Sequence, residues 1–165
     1  MDRILPSTTS LRTAVLPGLT VLLGTGGLAG GLYSFQSPIA WARTYGIICA
    51  PADSKNPSSE QTAFIQAIGA RNMASGASLI ALTAYWQFSA WCRASPVAAL
   101  TVQRCLGFSL LVGSAVTLAD AVVLSRLVKN GGLEPEAEHL TSGTSTGHAV
   151  MSLPILGLAL WYLLA

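Results

Sequence analysis

Charged side chains are scarce in this sequence. It has nine basic and seven acidic residues among 165, so 10% of the residues are charged and 52% are hydrophobic. A typical globular domain has roughly 25% charged residues, and a soluble domain of this length needs a charged surface that so few side chains cannot cover. This excludes an ordinary soluble enzyme and a disordered regulator. The formal net charge of +2 gives no basic field for nucleic acid. The composition predicts a membrane protein.

Common catalytic and redox motifs are also lacking. The cysteines are Cys49, Cys92 and Cys105, an odd number without a CxxC pair, which argues against a disulfide scaffold or a thiol-redox enzyme. The sequence contains no HExxH or P-loop motif. His139 and His148 are too few to support a di-iron site or a bis-His haem without other ligands. We therefore predict no cofactor and no metal site.

Four apolar segments are long enough to cross a membrane, since ~20 residues at 1.5 Å each span a ~30 Å hydrocarbon core. The first is too long for the apolar region of a signal peptide, and we interpret it as a retained helix. Backbone groups in lipid must be satisfied internally, so the expected fold is an all-α bundle of four transmembrane helices, and residues 1–165 form a single polytopic membrane domain. The predicted helices cover about 13–35, 62–91, 97–127 and 147–164.

The first long connection, 36–61, is expected to contain a short interfacial helix. Ser37-Pro38 is a favourable helix start, and Trp41, Tyr45 and Ile48 give the following turns an apolar side. We predict a helix near Pro38 to Gly46 that lies across the mouth of the bundle, followed by coil over 51–59.

The remaining connections define two faces of the bundle. Helices two and three are joined tightly over 92–96, and 130–146 is predicted as a second long loop. An even number of spans puts both termini on one face, here the terminus face, and both long loops on the other, here the loop face. Lys and Arg divide evenly between the faces, whereas acidic residues favour the loop face. We expect cytosolic termini, in the endoplasmic reticulum or another endomembrane.

Glycines crowd the first helix at spacings typical of helix packing. Two overlapping GxxxG pairs, Gly26 with Gly30 and Gly27 with Gly31, allow close backbone approach by another helix. That helix can belong to the same chain or to a second copy, so a homo-oligomer through these glycines is one expectation.

Three ionisable residues from three different helices are predicted at similar depth near the loop face. Arg71 lies about nine residues into the second helix and Asp120 about seven residues before the end of the third, which places both roughly 10–13 Å from that face. His148 begins the fourth predicted helix on the same face. A charge in lipid is costly, so we predict that Arg71 and Asp120 form an ion pair inside the bundle.

These residues are the candidate site. Arg71, Asp120 and His148 are the candidates for catalysis, and imidazole is the natural proton carrier near neutral pH. Asn72, Tyr33 and Trp41 are the candidates for substrate contact because they lie toward the same face. The alternative is a salt bridge that only pins two helices together, although desolvation often cancels the stability that such a pair gives.

Several short motifs occur in an order that resembles a known family: Ser37-Pro38-Ile39-Ala40 through Tyr45-Gly46-Ile47, then Gly69-Ala70-Arg71-Asn72 with Gly76, then Leu118-Ala119-Asp120, then Gly147-His148. The chain resembles the small fungal and bacterial four-helix membrane proteins grouped as domain of unknown function 4267. The resemblance implies the fold and puts Arg71, Asn72, Asp120 and His148 at motif positions, but it implies no established reaction. The segment 130–146 is longer and more acidic than the family pattern.

Two main functions follow. The first is a membrane enzyme that isomerises or cyclises a lipophilic metabolite by acid–base chemistry, with the lipid bilayer and that metabolite as its partners. Fungal members of such families often accompany secondary-metabolite pathways, so the resemblance favours a lipophilic substrate by association. The alternative is a non-catalytic module that binds lipid or assembles helices, and whether the chain is an enzyme stays open. A transporter is a third option, which four helices would support only by oligomerising.

Overall fold

The computed structural model describes residues 14–45, 47, 58–131, 133 and 135–164, and within them every regular element is a helix. The helices are α1 Leu16–Gln36, α2 Pro38–Thr44, α3 Ser59–Phe88, α4 Ala90–Ala94, α5 Pro96–Lys129 and α6 Pro135–Leu164. The four long ones correspond to the four predicted helices, and α2 corresponds to the predicted interfacial helix. The all-α prediction is confirmed for this part of the chain.

Three of the four long helices, α1, α5 and α6, are long and apolar enough to cross a membrane. The helix α3 is 30 residues long, but its sequence is less apolar than those of the other three. Polar residues such as Gln66, Arg71 and Asn72 in its first half explain the difference. The structure therefore supports an integral membrane protein with at least three helices that meet the requirements for spanning.

Serine side chains set several helix boundaries. Ser58 forms a capping box with Gln61, in which its hydroxyl accepts from the Gln61 amide at 3.2 Å. Ser89 accepts from the Cys92 amide at 3.1 Å and starts α4. This cap ends α3 at Phe88, so the prediction that the second helix continues to residue 91 is wrong by one short turn.

The largest correction concerns the second long loop. Residues 135–146, predicted as loop, form the first turns of α6, and the connection after α5 is only 130–134. Pro135 suits the first position of a helix, and Glu136 and Glu138 in the first turn favour the positive end of its dipole. The Thr144 hydroxyl donates back to the Leu140 carbonyl at 2.9 Å. Thr141, Thr144 and Thr146 thus satisfy their hydroxyls within the helix, whereas the Ser145 hydroxyl donates to the Ala121 carbonyl of α5. The Ser/Thr-Gly composition conceals these hydrogen bonds.

The helices α1 and α3 pack closely through glycine. A Cβ atom on Gly24 would lie 2.8 Å from the Gly76 carbonyl oxygen, and one on Gly31 would lie 2.6 Å from the Gly69 carbonyl oxygen. A Cβ on Gly27 would meet the Asn72 carbonyl oxygen at 3.1 Å. The helix that approaches the glycines of α1 is therefore α3 of the same chain.

The other two predicted oligomer glycines have different surroundings. A Cβ on Gly26 would meet nothing within 4 Å, and one on Gly30 would meet only the Trp41 indole nitrogen at 3.9 Å. The two GxxxG pairs therefore divide: Gly27 and Gly31 are used inside the chain, whereas Gly26 is open.

The helices α5 and α6 form the second close pair. Leu106 and Leu110 of α5 pack with Leu158, Ala159 and Tyr162 of α6. The fully buried Tyr162 shares a 2.9 Å hydrogen bond between its hydroxyl and that of Thr20, which joins α6 to α1. The contact between α3 and α5 is much less extensive. The bundle is thus two helix pairs joined toward the terminus face, with a gap between α3 and α5.

Candidate functional site

A cleft of about 690 Å³ occupies the gap between α3 and α5. Most of its lining residues lie between positions 71 and 79 of α3 and between 108 and 120 of α5, and Tyr45 and a few residues of α1 and α6 complete it. Apolar side chains such as Leu79, Phe108 and Ile155 line most of its length. The ionisable side chains and Asn72 gather at the end nearer the loop face, and the polar side chains farther along the cleft are the hydroxyls of Ser75, Ser78, Ser109 and Thr117. The cleft therefore has one polar end and a long apolar part.

Arg71 and Asp120 face each other at the polar end. Arg71 Nη2 lies 3.4 Å from Asp120 Oδ2, so the predicted ion pair is present. The two side chains meet because α3 and α5 run in opposite directions at matching depth. The contact is a single one rather than bidentate, and 44% of the Arg71 side chain and 30% of the Asp120 side chain are exposed. Both groups therefore have capacity for further hydrogen bonds toward the cleft.

The short helix α2 places Tyr45 at the same end of the cleft. Trp41 is buried and packs on Tyr45, with ring centroids 4.4 Å apart. The Thr44 carbonyl accepts a hydrogen bond from the Thr144 hydroxyl at 3.2 Å, which ties α2 to α6. The prediction of a short helix that begins at Pro38 is confirmed. Its apolar side was expected to face either lipid or the bundle, and Trp41 packs against Ile65 of the bundle. Ile48, predicted to share that side, and most of the coil predicted over 51–59 lie outside the described residues.

Tyr45 belongs to the site although it was not among the site residues predicted from the sequence. Burial raises the pKa of the Tyr45 phenol, and a hydrogen bond with Asn72 partly opposes this effect. The phenol is therefore uncharged at neutral pH and can donate a hydrogen bond. The signal was present in the sequence, because Tyr45-Gly46-Ile47 is one of the motifs that carry the family resemblance.

His148 has an unused hydrogen-bonding atom in the cleft wall. Its Nδ1 is buried and has no hydrogen-bond partner. The Tyr45 ring meets the imidazole edge-on, with centroids 5.0 Å apart. His148 lies well inside α6 and does not begin it, since the helix starts at Pro135. An unpaired buried nitrogen is costly, so a hydrogen-bonding group of a ligand at this position would be stabilising.

The structure divides the predicted site residues into two groups. Arg71, Asn72, Asp120 and His148 all line the cleft. Tyr33 and Trp41, the other two candidates for substrate contact, do not. Tyr33 lies on a side of α1 that faces away from the cleft, and 42% of it is exposed. Trp41 is buried behind Tyr45 and packs against the Tyr45 ring. Being on the same face of the membrane was not enough to bring them to the same cavity.

Metal-binding side chains are not clustered in the described part of the chain: no three His, Cys, Asp or Glu residues there come together at a possible metal site. The hydrogen-bonding capacity of the cleft instead comes from a guanidinium, a carboxylate, an amide, a phenol and an imidazole. These groups can bind and polarise an oxygen function and can exchange a proton with it.

Comparisons with curated proteins and with solved structures give no match. A family model described as Domain of unknown function (DUF4267) matches residues 24–162. The match begins in α1 and ends in α6, and it includes every residue that we identify at the polar end of the cleft. The resemblance expected from the short motifs is confirmed, and the chain belongs to the DUF4267 family.

Proposed function

We propose that this protein is a membrane-embedded enzyme that performs acid–base chemistry on a lipophilic small molecule held in the cleft between α3 and α5. The apolar part of the cleft would hold the body of the molecule. The polar end would hold an oxygen function and the carbon atoms next to it. Isomerisation or cyclisation by proton transfer is the reaction class that suits these groups.

The proposal includes a fourth membrane span, α3. Its 30 residues extend over ~45 Å at 1.5 Å per residue, which exceeds the thickness of a hydrocarbon core. Arg71 and Asn72, two polar residues near its middle, line the cleft. Its glycines pack against α1 along the same length. A helix with this distribution can cross a membrane as part of a bundle even though its sequence is only moderately apolar.

The proposed chemistry assigns a role to each polar residue. His148 would take a proton from a carbon next to a carbonyl group, and the electron pair of that C–H bond would move onto the carbonyl oxygen. Arg71 would stabilise the negative charge on that oxygen, and Tyr45 would donate a hydrogen bond to it. His148 would then return the proton at another carbon. Asp120 would hold the guanidinium in place.

One observation carries this proposal: the buried, unpaired Nδ1 of His148 shares a cleft with the Arg71–Asp120 pair. Structural salt bridges do not require a vacant space beside them or an unpaired imidazole nitrogen. Perturbed or unsatisfied polar groups that gather in a cavity are typical of functional sites. We extend the proposal to a lipophilic substrate of secondary metabolism in an endomembrane, consistent with the apolar lining.

A non-catalytic lipid-binding protein is the second candidate. The observation that favours it is the exposure of cleft-lining side chains: Phe108 is 59% exposed and Val112 is 63% exposed. A cleft that is open along its apolar part could hold a lipid chain without transforming it. The two candidate functions predict different effects of replacing the His148 imidazole: an enzyme would lose its reaction, whereas a lipid-binding protein would not depend on a proton carrier.

The test is genetic complementation with metabolite profiling. A deletion strain of the source organism receives the wild-type gene, His148→Gln or the matched control His139→Gln, which changes an exposed histidine of the same helix outside the cleft. We expect His148→Gln to reach wild-type levels in the membrane and to accumulate an isomer of the wild-type product, while His139→Gln restores the wild-type profile. A wild-type profile with His148→Gln overturns the enzyme proposal and leaves lipid binding.

A further inference from the structure

We infer that the molecule bound in this cleft is an uncharged, single-chain amphiphile that enters sideways from the bilayer between α3 and α5. This inference rests on the proposed function in one respect, namely that the cleft binds a lipophilic molecule. It adds three properties of the bound molecule: the charge of its head group, the shape of its apolar part and the route by which it enters the cleft.

The route follows from which cleft residues are exposed. Ala74 and Ser78 of α3 and Phe108 and Val112 of α5 all line the cleft, and all four are exposed, so the cleft is open at their level. They lie near the middle of two long helices, at the level where lipid would surround the protein. The end toward the loop face is instead covered by Tyr45, which α2 positions over the polar groups. The accessible opening is therefore lateral.

The absence of charge on the head group of the bound molecule follows from the charges already present at the polar end of the cleft. Arg71 already has Asp120 as its counterion at 3.4 Å, Asn72 and Tyr45 are uncharged, and His148 in its neutral form adds no charge. A carboxylate ligand would either face the Asp120 carboxylate or have to displace it from Arg71. Like charges at short range are strongly unfavourable outside bulk water. An uncharged head avoids both costs.

The hydrogen-bonding pattern selects the kind of uncharged head. Arg71 and Asn72 offer N–H donors, whereas the His148 Nδ1 can accept a hydrogen bond in one imidazole tautomer. A group that both accepts and donates, such as an alcohol, a phenol or the enol form of the proposed carbonyl substrate, matches this set. An ester or a simple hydrocarbon would leave the imidazole nitrogen unpaired.

The shape follows from the length and volume of the cleft. From the level of Asp120 to that of Phe108 the wall of α5 extends for ~18 Å at 1.5 Å per residue, which suits one extended chain. The volume of about 690 Å³ lies within the range of roughly 300–1,000 Å³ for small-molecule sites. A single chain with one polar head fits these dimensions.

The experiment uses the full chain in lipid nanodiscs and a long-chain alcohol that carries a photoreactive diazirine on its chain. Labelling of the α3 and α5 peptides is measured by mass spectrometry, with unlabelled alcohol or carboxylate of the same chain length as competitors. We expect the alcohol to compete about tenfold better than the carboxylate. Asp120→Asn removes the counterion of Arg71, so we expect it to reverse this preference.

Substitutions at two alanines of α3 test whether the molecule enters through the lateral opening. We expect Ala74→Trp, which fills the lateral opening, to reduce labelling about tenfold, since a blocked entrance slows association. Ala77→Trp adds the same side chain at an exposed position that does not line the cleft, and we expect wild-type labelling.

Each failure has a different meaning. Equal or better competition by the carboxylate overturns the uncharged head and leaves the proposed function intact. Wild-type labelling of Ala74→Trp overturns lateral entry only. If the alcohol labels no cleft peptide and neither competitor has an effect, the proposed binding of lipophilic molecules fails together with this inference.

Discussion

The Arg71–Asp120 pair joins residues that are far apart in sequence, but the contact between the two side chains is long and is not bidentate. It joins two residues that are 49 positions apart in sequence, yet it has a single contact of 3.4 Å and both side chains are partly exposed. Exposed ion pairs contribute about 0–1 kcal/mol to stability, much less than would justify two charges as scaffold alone. Removing one partner is a different matter, because it leaves a single charge in the bundle.

Single and double substitutions at this pair should therefore differ in how much stability they remove. We expect Arg71→Met to lower the free energy of unfolding by about 1–3 kcal/mol, because Asp120 is left unpaired, and Arg71→Met with Asp120→Leu to recover most of that loss. The measurement is reversible unfolding in mixed detergent micelles. A double variant less stable than both single variants would show that the pair is a structural clamp.

The Tyr45 phenol should give a measurable alkaline transition. Its pKa is raised above 10.0 by burial, so the folded protein holds this proton more tightly than the unfolded chain does. The resulting stability is present below pH 10.0 and is lost as the pH rises through the raised value. We expect Tyr45→Phe to unfold less steeply with pH above 10.0 than the wild type, as measured by circular dichroism. Parallel profiles for the two proteins would contradict the burial of this phenol.

At the scale of elements, the α1–α3 interface depends on backbone contact. Its glycines bring the two helices so close that carbonyl oxygens of one helix occupy the space where Cβ atoms of the other would be. This approach fixes the rotation of α3 and thereby directs Arg71 and Asn72 toward the cleft. The interface includes the backbone carbonyl of Asn72, while the polar side chains of the site line the cleft.

Two glycines of α1 provide a matched test of that interface. We expect Gly24→Ala to lower the free energy of unfolding by about 1–3 kcal/mol, because its Cβ would lie 2.8 Å from the Gly76 carbonyl oxygen. Gly26→Ala has open space around the new methyl group, so the better helix propensity of alanine should leave stability unchanged or raise it by up to about 1 kcal/mol. Mixed-micelle unfolding distinguishes the two. Equal destabilisation by both would indicate that a second copy of the chain covers Gly26.

At the scale of the whole molecule, the number of spans decides which residues share a face of the membrane. With four spans, the start of α3 and the turn after it lie on opposite faces. With three, in which α3 does not cross, they lie on the same face. The distinction also determines whether the cleft faces lipid or water.

Cysteine labelling measures this directly. In a protein whose native cysteines are replaced by alanine, we expect Glu60→Cys and Glu136→Cys to react with a membrane-impermeant maleimide from one face and Arg93→Cys from the other. Permeabilised membranes provide the control for total reactivity. Reaction of Glu60→Cys and Arg93→Cys from the same face would exclude a spanning α3.

Local chemistry in the sequence was sufficient to predict the helices and the depth of the charges. The lengths of the apolar segments identified the long helices, and the Ser37-Pro38 start with the Trp41–Tyr45 spacing identified α2. Because a charge in lipid is costly, the sequence also predicted that Arg71 pairs with Asp120. Depth along a helix is proportional to residue number, so a sequence contains it directly. The exception is 135–146, where a polar composition indicates a loop but back-bonded hydroxyls permit a helix.

Only the tertiary structure decided the direction in which each side chain points. Tyr33 and Tyr45 lie near the same end of the bundle, yet Tyr33 points outward and Tyr45 covers the cleft. The glycine contacts of α1 with α3 set the rotation of α1 and therefore the direction of Tyr33. The burial of Trp41 sets the position of α2 and therefore that of Tyr45. The gap beside the ion pair arises in the same way, since two helix pairs that pack closely within themselves and meet mainly at one end leave space between α3 and α5. Rotation and separation depend on contacts between residues far apart in sequence, and no local pattern contains them.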